Sequence, residues 1–275
     1  MLRVLIIGGI GDAVELAAKV ANIPGIEAIS SLAGRTREPA TPVGNVRIGG
    51  FGGVAGLVTY LREMQIDILI DATHPFANQI SENAAAATQE VGIPRLMVIR
   101  PAWEKLKDDY WLEVENNLAA AAVLANQAKR VFLTIGRQEI ATFAHLQEIW
   151  FLMRMIDPPN ADVVVPPGLI LCDRGPFSLE NEQEILLKYN IDTIVSKNSG
   201  GSATYPKIIA ARKLGIKVVM VNRPPVPPGE QVADVESAVQ WLRGCLKSIR
   251  INRDPPNPPY KGGLNSSKSP LERGI

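Results

Sequence analysis

Apolar residues along this chain change period repeatedly. Residues 4–8, VLIIG, form a short continuous apolar run, and residues 12–22, DAVELAAKVAN, shift to helical spacing with Val14, Leu16, Ala17 and Val20 on one broad face. The pattern predicts a strand, a glycine turn and a helix. Strand character returns at 26–34 and briefly at 46–48, and 54–64 is helical again. Residues 67–73, DILIDAT, read as a strand, the alanine-rich 76–92 as a helix closed by Gly92, and 93–100 as another strand.

The rhythm restarts after RPAW (100–103) and the charged EKLKDD. Helix is expected at 116–128 and strand at 130–136, followed by strands at 149–156 and 168–175. A helix at 178–190, a strand at 192–198, a helix near 205–214, a strand at 216–222 and a last helix at 233–249 complete the series. Alternating strands and helices predict an α/β protein with two Rossmann-like domains, largely parallel sheets and a cleft between them. The expected boundaries are 1–103, 104–249 and a Pro/Gly/Ser-rich tail, 250–275, whose composition predicts disorder.

Composition narrows the function. The formal charge of +1 gives no field to gather nucleic acid or an anionic membrane, so recognition of anions must be local. Cys172 and Cys245 are far apart, and with two histidines in the chain no disulfide framework or metal centre is indicated. Glycines and Asp12 interrupt the N-terminal apolar run well short of a signal-peptide core, and no run suits a membrane span. A cytoplasmic protein without nucleic-acid or membrane partners is the expectation; the oligomeric state is left open.

Ligands of parallel sheets collect at the carboxyl ends of strands, where helix N-termini and loop amides point. The first strand ends in GGIGDA, placing Gly8, Gly9 and Gly11 in a turn suited to phosphate, although a strict G-x-G-x-x-G would need glycine where Val14 stands. The second ends in SSLAGRTRE, with Ser31 and Arg35 where an NAD-binding fold commonly carries a carboxylate; this favours NADPH, with NADH possible. GGFGGVAG (49–56) has five glycines in eight positions before a helix. DATHPFA then brings Asp71, Ala72, Thr73 and His74 to the end of a buried strand, with His74 expected to face the cofactor.

In the second half, Thr134, Gly136 and Arg137, then Arg154, Arg174, and finally Lys197, Asn198, Ser199 and Gly200 stand at equivalent strand ends. Arg100 closes the first half. Cations after nearly every strand in a near-neutral chain fit a ligand with many separated negative charges; helix capping and surface salt bridges account for one or two of them.

GGIGDA, SSLAGRT, GGFGG, DATHPFA, RPAW, TIGR, DRGPF, SKNSGG and KIIAARKLGIKVVMVNRP occur in the order and spacing of the precorrin-6A and cobalt-precorrin-6A reductases of cobalamin biosynthesis, which the chain resembles from Val4 to about Ile249. Ile10, Asp12 and Val14 depart from the residues usual in that family's phosphate turn. The resemblance implies hydride transfer from a reduced nicotinamide cofactor to the ring of a polycarboxylated tetrapyrrole. It implies cofactor contacts at Gly8, Gly9, Gly11, Ser31, Arg35 and 71–77, and substrate contacts at Arg100, Arg137, Arg174, Lys197, Asn198, Ser199 and Gly200.

Orientation supplies much of the rate in such a transfer. Lys197 is expected to balance charge at the reacting ring, and Lys197, His74, Tyr205, water or a substrate carboxyl to supply the proton. The rival classes are a non-catalytic NADP-sensing module and, more weakly, an α/β sugar-phosphate transferase.

Overall fold

The computed structural model describes residues 1–34 and 42–253. Arg35 and the tail beyond Arg253 therefore lie outside the described residues. Met1–Val239 form one compact unit, and a second unit starts at Gln240.

The first half runs β1 (Leu2–Gly8), α1 (Gly11–Val20), β2 (Ile26–Leu32), β3 (Asn45–Ile48), α2 (Gly53–Glu63), β4 (Ile68–Ala72), α3 (Asn78–Val91) and β5 (Arg95–Val98). The second runs β6 (Trp111–Val114), α4 (Asn117–Leu124), β7 (Arg130–Thr134), a 3-10 turn (Ile140–Phe143), β8 (Trp150–Met155), β9 (Gly168–Cys172), α5 (Leu179–Lys188), β10 (Thr193–Lys197), α6 (Pro206–Leu214) and β11 (Lys217–Val221). β12 (Glu230–Val232) and α7 (Val235–Arg253) follow.

Two six-stranded sheets result, ordered β12-β5-β4-β1-β2-β3 and β6-β11-β10-β7-β8-β9. Their paired strands are parallel throughout. The sheets have the same plan: the chain leaves a central strand, β1 or β7, in one direction and returns to its other flank with β4 or β10. Each plan is completed by a strand from elsewhere in the chain. β12, which follows the whole second sheet, pairs with β5 through Glu230↔Leu96 and Val232↔Val98, while β6 holds the corresponding edge beside β11.

β6, β12 and the 3-10 turn are elements that the apolar period did not predict. β12 has three residues, two of them exposed, and β6 has four with only its ends, Trp111 and Val114, buried, so neither carries the hydrophobic run that marks a buried strand. Backbone pairing with an existing sheet edge, rather than side-chain pattern, defines both.

The central strands are buried on both faces, with residues alternating between them. Val131 and Leu133 pack into the cluster under α4 and the 3-10 turn, whereas Phe132 packs with Leu152, Ile194 and Met220 under α5 and α6. In the first sheet Leu5, Ile7, Ile29 and Leu69 join Leu57 and Leu61 of α2 and Ala84 and Ala87 of α3. That double burial explains the continuous apolar runs in the sequence.

Helix ends separate into two groups. Asn116 accepts a backbone bond from Ala119 at the start of α4, and Ser178 accepts one from Asn181 at the start of α5. The N-caps of α1, α2, α3 and α6, which are Ile10, Gly52, Ala77 and Tyr205, make no side-chain cap bond. α1, α2 and α3 begin just after β1, β3 and β4, where the glycine and DATHPFA loops lie, so their first amides are left to those loops, whereas α6 opens on Pro206, which has no amide to offer.

Candidate active site

A cavity of about 380 Å³ lies at the carboxyl end of the first sheet, lined by Gly8, Gly9 and Ile10, by Ser31 to Gly34, by Gly49 to Gly53, and by Thr73, His74 and Ala77. It is at the reversal point of strand order, where Gly8 of β1 pairs with Ala72 of β4. Gly8 is required by close packing: a Cβ there would overlap the Cβ of Ala13 and stand 3.0 Å from the Ala72 carbonyl oxygen. At Gly9 a Cβ would meet nothing within 4 Å, so this residue faces open space beside the uncapped start of α1. Gly52 and Gly53 have φ of 79° and 86°, which glycine adopts at little cost.

No aspartate or glutamate lines this cavity among the described residues. Ser31 does, and its neighbour across the strands is Arg47 of β3. The Arg47 guanidinium donates to Ser31 Oγ at 3.2 Å and to the carbonyls of Gly49 and Gly50 at 2.5 and 2.7 Å, while stacking 3.9 Å from the Phe51 ring centre. Arg47 therefore shapes the glycine loop from behind. Glycine turn, open helix amides and the absence of carboxylates together fit a dinucleotide carrying several phosphates.

The DATHPFA loop separates this cavity from a second one. Asp71 Oδ1 accepts from the Thr73 backbone at 3.1 Å and from its hydroxyl at 2.7 Å, which turns the chain out of β4. His74 Nδ1 accepts from the Phe76 amide at 3.2 Å, so the proton of a neutral ring resides on Nε2. Burial, then the positive charges of Arg100, Lys197, Arg223 and Lys207, press the His74 pKa from its ordinary value down to about 3. His74 is thus an uncharged donor at neutral pH, and no proton is held there as an imidazolium.

The second cavity, about 410 Å³, is lined by His74, Phe76 and Ala77 from the first half and by residues after β7, β8 and β10, including Thr134 to Glu139, Asp157, Lys197 and Ser199. His74 and Ala77 line both large cavities. His74 also borders a pocket of about 30 Å³ shared with Asp71 and Arg223, each of which has one buried polar atom without a protein partner. That volume has room for a water.

Of the residues expected to touch the cofactor, Gly8, Gly9, Ser31, Thr73 and His74 line the first cavity. Gly11 starts α1, while Asp71 and Ala72 lie beneath the loop that Asp71 folds. Arg35 lies outside the described residues. Of the expected substrate residues, Arg137, Lys197 and Ser199 line the second cavity.

Arg100, Asn198 and Gly200 join the two halves. Arg100 Nε donates to the Ser199 carbonyl at 2.8 Å and Nη1 pairs with Asp12 at 3.1 Å. Asn198 accepts from the Trp103 amide at 2.8 Å and donates to its carbonyl at 3.1 Å. Arg223 donates to the carbonyls of Asn198 and Arg100 at 2.8 and 2.7 Å, and a Cβ at Gly200 would run into the Pro101 carbonyl. RPAW and SKNSGG therefore interlock through backbone carbonyls. Arg174 is exposed and outside the lining, and Arg154 is buried against Glu182 at 2.8 Å between the Phe132 and Phe177 rings.

Sequence reasoning missed Lys207 and Glu139. Lys207, in the first turn of α6, is 3% exposed, lines the second cavity, and donates to the Thr204 carbonyl at 3.3 Å. Burial first, then the nearby Arg154 charge, lowers its pKa to about 7 against the opposing pull of Glu182. Its signal in the sequence was a lone lysine after Tyr205-Pro206, indistinguishable from a solvated helix residue. Glu139 forms an ion pair with Lys197 at the cavity wall.

Residues 3–243 match the family model described as precorrin-6x reductase CbiJ/CobK. The chain is 50% identical over 244 residues to a precorrin-6A reductase of Rhodococcus erythropolis, covering 88% of this chain and 98% of the relative. It is 40% identical over 242 residues to a precorrin-6A reductase of Rhodobacter capsulatus, covering 88% and 96%. A solved structure titled CobK precorrin-6A reductase superposes with a TM-score of 0.83 at 40% identity, covering 89% of this chain and 97% of that one. An α/β chain with parallel sheets, matched over nearly its whole described length, belongs to the precorrin-6x reductase family of oxidoreductases.

Proposed function

We propose that this protein reduces the macrocycle of metal-free precorrin-6A, with NADPH as hydride source, to the dihydro product of precorrin-6B type. The observation that carries the reading is the position of His74 and Ala77 on the wall of both large cavities, one glycine-rich and, among the described residues, without carboxylates, the other bearing Arg137, Lys197 and Lys207. The metal-free substrate is supported by the names of the relatives at 50% and 40% identity, and NADPH by the absence of an acidic side chain beside Ser31 among the described residues. Arg35, outside the described residues, is assigned from sequence to the 2′-phosphate.

When bound, a reduced nicotinamide supplies hydride to one carbon of a ring double bond, and the adjacent carbon takes a proton. Gly9 and the amides of α1 hold phosphate, and the Arg47-braced loop closes the same cavity. His74 orients by donating from Nε2 at the boundary between the ligands. Lys197 and Arg137 receive peripheral carboxylates of the macrocycle. Lys207, which lines the same cavity as His74 and has a pKa of about 7, supplies the proton and regains one from solvent.

Mixing the protein with NADPH and precorrin-6A, and following both absorbances, tests the reading. Stoichiometric loss of NADPH and of the precorrin-6A chromophore is expected. Dinucleotide binding without oxidation in the presence of substrate would replace the proposal with a redox-sensing module, for which the cation-lined cavity has no use.

A further inference from the structure

An acidic side chain on the wall of a site for a polyanion needs a reason. Glu139 is such a residue: it lines the second cavity, sits at the N-terminal boundary of the 3-10 turn, and its side chain is 35% exposed. Its carboxylate pairs with the ammonium of Lys197, which is 13% exposed and lies 5.2 Å from the centre of the Phe76 ring.

The two partners differ in freedom. The Lys197 backbone is held at the end of β10, in register with Val221 of β11, and its side chain is largely enclosed by the cavity wall, so its ammonium is the more confined partner. Glu139 is on a loop after β7, makes no side-chain cap bond to the 3-10 turn, and is exposed enough to rotate outward. Around Lys197 the cavity also presents Arg137 and Lys207, so an ammonium without a counter-ion there would meet like charge in a partly dry setting. Glu139 removes that cost.

We infer that Lys197 is the receptor for one carboxylate of the macrocycle and that Glu139 is its internal stand-in, displaced outward as that carboxylate arrives. This rests on the function proposed above and deepens it. The exchange keeps the charge at Lys197 constant before and after binding. It subtracts the energy of one ion pair from affinity for substrate and product alike, so the reduced macrocycle leaves more readily. Glu139 is then a specificity residue: a ring lacking a carboxylate at that position cannot repay the displaced pair.

The test compares wild type, E139Q, K197M and the double variant, using KM for precorrin-6A, kcat, and direct titration with uroporphyrin, a non-reducible octacarboxylate tetrapyrrole. E139Q is expected to tighten uroporphyrin binding and lower KM about tenfold, with kcat reduced by slower product release. The gain should vanish in the K197M background, which separates carboxylate exchange from a general change in cavity charge. Wild-type turnover combined with equal or weaker uroporphyrin binding by E139Q would overturn the inference while leaving the proposed function standing, since Glu139 would then be a clamp that positions Lys197. Neither turnover nor tetrapyrrole binding by wild type would overturn both.

Discussion

The guanidinium of Arg100 pairs with Asp12 at 3.1 Å while donating from Nε to the Ser199 carbonyl at 2.8 Å. One side chain thus touches the first turn of the helix that begins at the glycine turn and the loop that follows β10. A ligand that moves either element acts on the other through two bonds.

Arg100→Met should therefore loosen the thermodynamic link between dinucleotide and macrocycle more than either affinity alone. The expected change is about three- to tenfold in the ratio of NADPH affinities measured with and without uroporphyrin, within the usual span of coupling between sites. An unchanged ratio would make the Arg100 bridge a matter of stability only.

Gly8→Ala places a methyl group into the Cβ of Ala13 beneath the turn. The backbone must shift, so we expect a loss of about 1–3 kcal/mol in denaturant unfolding and NADPH binding weakened at least tenfold. Gly9→Ala, with nothing within 4 Å of the added carbon, should leave stability within about 0.5 kcal/mol while still crowding the ligand.

His74 is held neutral, with its pKa near 3, and its role as a donor from Nε2 has no titration in the neutral range. His74→Gln preserves a donor of similar reach and should keep kcat/KM within about tenfold, whereas His74→Phe loses the hydrogen bond and should cost about tenfold more. Neither substitution should move the pH profile between 5 and 8.

Lys207 sets that profile in the present proposal. With its pKa lowered from 10.5 to about 7, single-turnover reduction should fall with rising pH through that value, and Lys207→Met should slow it about 100-fold and remove the inflection. A bound polyanion raises the midpoint. The same lysine makes a stability prediction of definite sign: below pH 7 folded and unfolded chains both carry the proton and burial costs most, while between 7 and 10.5 the unfolded chain binds more protons and stability rises with pH. Lys207→Met should therefore stabilise the protein by several kcal/mol, roughly, at pH 6 and progressively less toward pH 10.5, as read by urea unfolding.

Much of this was legible in the sequence because the strands are buried on both faces. Runs such as ILID and TIVSK carry their own signal, and the loops that follow them had to stand at one end of the sheets. The motifs GGIGDA, DATHPFA and SKNSGG were found for that reason. Which side chain in a motif faces a ligand was not legible. Asp71 Oδ1 and Asn198 are taken up in hydrogen bonds to Thr73 and Trp103, and these depend on chain paths that no local period records.

Lys207 and Glu139 illustrate the same limit from the other side. Nothing in YPKI distinguishes a lysine under the Trp103 ring from one in water, and nothing in GRQEI foretells a partner 58 residues away. β12 was hidden for a related reason: three residues with two exposed make no pattern until β5 is already in place to pair with them.

The placement of β12 has a consequence for synthesis. Every other strand of the first sheet is encoded by Val98, yet the strand that protects the outer edge of β5 is encoded at Glu230–Val232, after the whole second sheet. During translation that edge stays open to wrong neighbours for well over a hundred residues, so a growing chain halted near residue 225 should be more aggregation-prone than one released after Val239.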